Sequence, residues 1–253
     1  LASSSDEIVW QAADKAFQKK QWDTARKYYR RLIDGFPQSE HLPDARLGLA
    51  QTHFKEGGAG NYVLAVSEYR EFLTLYPSHP KSDYAQFQTA EAYYLQRNSP
   101  DRDQTNTTKA LDEYERLLDL YPNSSHVEIA RLRVANLRQY LAKAEFAAGY
   151  FYQRTRHALR AAINRYEGVL TDYPDYAGID EVLYRLSECL VAAARKAEAL
   201  PYLARLTSEY TNSKFASEGR TLMEELARQG VTPPPPMAPE PPSPGPPPET
   251  PTP

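Results

Sequence analysis

The side chains able to do chemistry are few and scattered. Five histidines, His41, His53, His79, His126 and His157, stand far apart. None pairs with another at i,i+4, and no His-Glu-x-x-His occurs, the spacing that would set two imidazoles around zinc on one helix face. Cys189 is the only cysteine and lies in YRLSECLVAAA among apolar residues, so it reads as a small core thiol. One cysteine builds neither a disulfide framework nor a cysteine-rich metal site. The stretch KEGGAGN (55–61) is glycine-rich enough to cradle phosphate, but it lacks the Lys-Ser/Thr of a P-loop and follows a helical segment, so a flexible turn is expected. Carboxylates mix with Lys and Arg in DEYERLLD and TLMEELARQ, the pattern of solvated i,i+4 pairs. A Gly-x-Ser-x-Gly elbow, a dinucleotide fingerprint and a Cys/His nucleophile pair are all missing from the sequence. The expectation is a non-enzyme with no cofactor and no metal.

Binding is what remains, and a strongly repeated pattern says what would do it. YRRLIDGFP from Tyr29, YREFLTLYP from Tyr69, YERLLDLYP from Tyr114, YEGVLTDYP from Tyr166 and a degenerate LARLTSEYT from Leu203 are copies of one another. Four residues ahead of each stands Ala25, Ala65, Ala110, Ala162 or Ala199. Offsets of 0, +4 and +7 place alanine, tyrosine and an apolar residue on one helix face, and the proline then ends the helix. A fixed period of this kind identifies a stacked helical array, and the pattern matches the B helix of a tetratricopeptide repeat. Ser125 with Glu128, and Ser4 with Glu7, have the spacing of capping boxes that would start the following helices.

The prolines at 37, 77, 122 and 174 stand 40, 45 and 52 residues apart, longer than a repeat of about 34. KEGGAGN accounts for the first excess and the polar QRNSPDRDQTNTT loop for the second. The third is different: from His126 to Ala148 there is no Gly or Pro, and apolar residues recur at steps of three and four, which reads as one long helix. The predicted organisation is all-α, a tetratricopeptide-type solenoid over 1–230 with repeats near 6–37, 42–77, 82–122, 143–174 and 178–211. A rod over 126–148 links the third and fourth, and a cap over 213–229 closes the array. The segment 231–253 is so rich in proline that it can bury no core and reads as a disordered or polyproline II tail.

With 41% hydrophobic residues the chain can bury a core. A net charge of −3 with interspersed signs leaves no basic stripe for a phosphate backbone, which argues against nucleic acid. No run approaches the roughly 18 apolar residues of a membrane helix. A solenoid of this type lines its concave groove with A-helix side chains. The groove candidates mix polar and aromatic types: Trp22, Phe54, Gln86 and Tyr93, with Trp10 and Gln51 beside them.

Four stretches go beyond a generic repeat protein: YPSHPKSDYAQFQTAEAYY (76–94), DRDQTNTTKALDEYERLLDLYPNS (101–124), LAKAEFAAGYFYQR (141–154) and INRYEGVLTDYPD (163–175). They resemble the BamD family of outer-membrane assembly lipoproteins, called ComL in some bacteria, and the resemblance covers residues 6 to about 228. It implies a periplasmic scaffold lipid-anchored to the inner face of the outer membrane, in complex with the β-barrel insertase BamA and other assembly lipoproteins. N-terminal repeats would engage unfolded barrel precursors, and C-terminal repeats would dock the POTRA region of BamA. The arginine of the Asn-Arg-x-Glu-Gly block is Arg165 here, and a forked guanidinium suits an acidic partner; Glu167 and Asp172 complete the predicted partner-binding set. The lipid-bearing cysteine is not in this sequence, so the anchor is expected to precede Leu1, and the proline-rich tail is outside the family pattern. Two alternatives stay open. One is a periplasmic adaptor that organises cell division or the cell wall; the other is a cytosolic chaperone adaptor, although the helices before Pro77 carry only Gln51, Lys55 and Asn61 toward a Lys/Asn clamp.

Overall fold

Ala25, Ala65, Ala110, Ala162 and Ala199 are completely buried, as are Tyr69, Tyr114, Tyr166 and Leu203 one turn later; Tyr29 is nearly so. Leu32, Phe72, Leu117, Val169 and Leu206 continue the face and are also buried. In the computed structural model, which describes residues 5–233, this ladder is the inner face of the even-numbered helices up to α10. The helices are α1 (Ser5–Gln18), α2 (Trp22–Gly35), α3 (Leu42–Glu56), α4 (Ala59–Leu75), α5 (Ser82–Leu95), α6 (Thr105–Leu120), α7 (Val127–Phe151), α8 (Leu159–Asp172), α9 (Ile179–Ala192), α10 (Lys196–Glu209) and α11 (Lys214–Arg228). A π-helical turn, Tyr152–Arg156, joins α7 to α8. Consecutive helices pack on one another throughout, giving an all-α solenoid of five helical hairpins closed by α11. Nearly all of the proline-rich tail expected from 231 onward lies outside the described residues, as does Ser4 of the first expected capping box.

Four of the five ladder helices, all but α10, stop for the same reason. The aromatic before the proline, Phe36, Tyr76, Tyr121 or Tyr173, takes φ between −129° and −134°, because proline bars its predecessor from the helical region. Its N–H still bonds back to Leu32, Phe72, Leu117 or Val169. The next helix is then fastened by a recurring clasp. Ser39, Ser124 and Ser213 donate to Asp6, Asp83 and Asp180 at 2.7, 2.6 and 2.5 Å. The same hydroxyls accept from the N–H of His41, His126 and Phe215. Those three rings stack on Trp10, Phe87 and Tyr184, with centroids 5.2, 4.4 and 5.5 Å apart. This corrects the expected Ser125/Glu128 capping box: α7 begins at Val127 with no side-chain cap, the working hydroxyl is Ser124, and Glu128 pairs with Arg131. A serine tied to the preceding hairpin's carboxylate does more than a local cap, since it holds two hairpins together. The KEGGAGN turn is also shorter than expected, reduced to Gly57 and Gly58 at φ 76° and 88°.

The rod α7 is one 25-residue helix that serves two hairpins. Leu137 and Leu141 belong to the apolar cluster with α5 and α6, whereas Ala142 and Phe146 belong to the one with α8 and α9. Gln139 donates to the Asp175 carbonyl at 2.7 Å and accepts from Ala177 N–H at 2.9 Å, so it holds the α8–α9 turn as Asp6, Asp83 and Asp180 hold theirs. It sits eleven residues further into its helix than they do, which displaces the fourth hairpin along the rod by about 16 Å at about 1.5 Å per residue.

Cys189 is buried, and burial pushes its thiol up to about 11. Its reaction with a disulfide reagent is expected to be slower by about a hundredfold or more in the folded chain than in urea, and to quicken as pH rises; a thiol titration followed by absorbance checks this. Added to Gly149, a Cβ would meet the buried Tyr166 ring at 2.7 Å, whereas at Gly168 it would meet nothing within 4 Å. Gly149→Ala is expected to destabilise by about 1–3 kcal/mol and Gly168→Ala to stabilise by about 0.5–1 kcal/mol, both read by thermal melting.

Candidate functional site

Three segments remote in sequence converge on one cleft of about 420 Å³. Pro100, Asp101, Arg102 and Gln104 of the α5–α6 loop form one wall, and Ala144, Ala147, Ala148 and Phe151 of the rod form an apolar floor. Glu145, Tyr152 and Arg165 close the end. The loop is held in place: Tyr140 on the rod donates to the Asn98 carbonyl at 2.6 Å, Gln104 to the carbonyls of Ser99 and Arg102, and Thr105 to Asp103. The wall is therefore positioned by the same rod that supplies the floor.

Arg165 sits at the head of this cleft and at the head of a second, of about 450 Å³, lined by Glu145, Asn164, Gly168, Asp172 and Tyr173. Its Nη1 donates to both oxygens of Glu145, at 2.9 and 2.7 Å. That bond to Glu145 raises the guanidinium pKa. The pair is part-exposed, 45% for Arg165 and 36% for Glu145, and a forked cation on which one nitrogen serves both contacts keeps donors for a further acceptor. Of the predicted partner set, Arg165 and Asp172 border the same cleft. Glu167 turns the other way, toward Arg195 and Tyr202, and neither carboxylate bonds to Arg165.

The register of the ladder explains the choice of Glu145. Across adjacent ladder helices, the residue after one tyrosine faces the residue before the next: Arg70, after Tyr69, pairs with Glu113, before Tyr114. By that rule Glu115 would meet Arg165. The rod comes between them, and each takes a partner from it, Glu115 from Arg138 at 4.0 Å and Arg165 from Glu145. Position 145 carried no sign of this in sequence beyond its place inside LAKAEFAAGYFYQR, because the ladder pattern describes the even helices only.

The four groove candidates do not share one surface. Trp22 opens α2 and packs edge-on against Phe17 at 5.4 Å. Phe54 lies between Tyr62 and Tyr69 in the α3–α4 hairpin. Gln86 is buried and donates to the Glu113 carboxylate at 2.7 Å and to its carbonyl at 2.9 Å. Tyr93 is buried too, with Arg70 and Lys109 each 5.6 Å from its ring centroid. Gln86 and Tyr93 therefore flank one cluster around Arg70 and Glu113, while Trp22 and Phe54 stand in separate hairpins. Among the described residues no group of three or more His, Cys, Asp or Glu side chains could hold a metal, and no helix is long and apolar enough to cross a membrane.

Residues 3–200 match the YfiO family, described as outer membrane lipoprotein. The chain belongs to this family. Curated YfiO-type relatives agree: it is 29% identical over 206 residues to the outer membrane protein assembly factor BamD of Rickettsia prowazekii, covering 81% of this chain and 80% of that one. It is 28% identical to BamD of Caulobacter vibrioides over 76% of this chain and 62% of that longer protein. For BamD of Neisseria meningitidis serogroup B the identity is 24% over 83% and 79%.

The two ion pairs of the YfiO-type solenoid should differ sharply in weight. Glu113 is only 8% exposed and serves Arg70 and Gln86 together, so Glu113→Ala is expected to destabilise by about 2–4 kcal/mol. Glu145→Ala, at a part-exposed pair, is expected to cost less than about 1 kcal/mol. Urea unfolding of the two variants checks the contrast.

Proposed function

We propose that this chain is a non-catalytic assembly factor for outer-membrane proteins, attached by lipid at the periplasmic face of the outer membrane, and that the Arg165 cleft is where it docks the POTRA region of a BamA-like insertase. The observation that carries the reading is the convergence just described. The DRDQT loop, the LAKAEFAAG stretch and the Asn-Arg-x-Glu-Gly block, three stretches of family character, build a single cleft. A packing role alone gives no reason for them to meet at a surface. The apolar floor accepts a small hydrophobic side chain, and the donors left on Arg165 accept a carboxylate beside it.

Unfolded barrel precursors and companion lipoproteins are the further partners this reading assigns, with the N-terminal hairpins as the precursor-binding part. Their groove would centre on Gln86, Tyr93 and the Arg70 cluster, with Phe54 packed against the same apolar cluster and Trp22 standing apart in the first hairpin. Repeats that stack side by side leave a continuous concave face, and an extended precursor strand is a natural occupant of such a face.

The purified chain is expected to bind the periplasmic region of BamA from the same organism in calorimetry. Arg165→Glu should weaken that binding by about tenfold or more while leaving the helical circular dichroism unchanged. No measurable binding by the unsubstituted chain would overturn the docking assignment.

A further inference from the structure

The turn joining α7 to α8 is one-sided in charge. From Phe146 to Tyr166 the sequence holds Arg154, Arg156, Arg160 and Arg165 and no Asp or Glu, in a chain whose net charge is −3. Glu145 engages Arg165; Arg154, Arg156 and Arg160 are exposed and make no ion pair among the described residues. Beside them are two exposed rings, Tyr150 at 39% and Phe151 at 46%. Arg154 lies 5.8 Å from the centroid of the first and Arg156 5.7 Å from that of the second. The backbone here winds as a π-helical turn and ends at His157 with φ 51°, a geometry that local helix propensity does not favour and that often marks a functional surface.

The rest of the C-terminal array adds further cations on the same side. Helix directions alternate, so the α7–α8 turn, the α9–α10 turn and the end of α11 fall along one edge. That edge adds Lys196 and Arg228, set against exposed Glu224 and Glu225 near the end of α11, together with Arg195, which Glu198 neutralises. Lys196 reaches Gln229 at 2.8 Å, tying the last two elements side by side. The opposite edge carries Asp172, Asp175, Asp180, Glu181 and Glu209 against Arg138, Arg205 and Lys214.

We propose that this edge of the C-terminal hairpins, led by the basic α7–α8 turn, rests on an anionic phospholipid surface, with Tyr150 seated among the headgroups. Arginine forks suit phosphate, and rings with a polar tip or neighbour settle at the membrane interface. Cations drawn from three separate elements make a wide, shallow footprint, which fits a lipid surface better than it fits a single acidic peptide. The family's description as outer membrane lipoprotein puts such a surface within reach, and the anchor plays no part in the contact.

The test is co-sedimentation of the full 253-residue chain, without lipid, with phosphatidylcholine vesicles that either lack phosphatidylglycerol or contain it at roughly three parts in ten. Binding is expected to the anionic vesicles only, and raising salt from about 0.05 to about 0.5 M should release the chain. Arg154→Glu with Arg156→Glu should lower the partition about tenfold or more, at roughly a factor of five or more per cation. Lys196→Glu with Arg228→Glu, on different helices, should lower it as well, and this pair lines neither cleft at Arg165. Equal binding to both vesicle types overturns the proposal, as does anionic binding that neither pair of reversals reduces. Absence of vesicle binding, with retention on immobilised polyglutamate instead, overturns it in favour of an acidic protein partner.

Discussion

Two of the ladder tyrosines enter the space between helices at points where the facing backbone carries no side chain. Tyr29 reaches the helix surface at Gly48 and Tyr166 does so at Gly149, each so close that a single added carbon would collide with the ring. Alanine one turn earlier on the tyrosine's own helix keeps the helices near enough for the ring to fill the gap. At two of the ladder rings the hydroxyl at the tip bonds a side chain: Tyr114 donates to Glu91 and Tyr166 to Gln153. Hairpin packing, hairpin spacing and the direction of the next helix all follow from that contact, and the loops and clefts are built on the frame it sets.

Much of this frame can be read directly from residue order. Ala-x3-Tyr-x2-apolar-x4-Pro encodes both the buried face and its termination, since each part acts through the residues nearest to it along one helix. The Ser–Asp clasps are harder to see, because Asp6 and Ser39, or Asp83 and Ser124, lie 33 and 41 residues apart and acquire meaning only once two hairpins stack. A capping-box pattern at Ser125 and Glu128 competes for the same stretch and loses, because the bond to Asp83 ties down Ser124 one residue earlier. Local propensity proposes a cap, and tertiary contact selects which hydroxyl supplies it.

The site divides in the same way. Arg165 is visible in the sequence because it stands in a block of family character, and so are the loop and rod segments around it. What residue order does not show is that they meet. The partner of Arg165 is fixed by where α8 docks along α7, and that is decided by Gln139, Arg138 and the α8–α9 turn. Glu167, two residues from Arg165, points to a different neighbour because side chains two apart on a helix do not share a face. The groove residues illustrate the reverse case. Gln86 and Tyr93 come together around a buried carboxylate, whereas Trp22 is drawn into the packing of its own hairpin and Phe54 bridges two apolar clusters.

The unbroken rod makes the joint between the two halves of the solenoid a screw and not a hinge. A residue added to α7 between Leu141 and Ala142 would lift everything beyond it by about 1.5 Å and rotate it by about 100°, carrying Arg165 away from the Asp101 loop. Seven added residues would lift it by about 10.5 Å yet return it to within about 20° of its starting direction. The separation between the N-terminal hairpins and the basic edge is thus set in thread-like steps, and only rods that differ by a near-whole number of helical turns present both surfaces in the same phase.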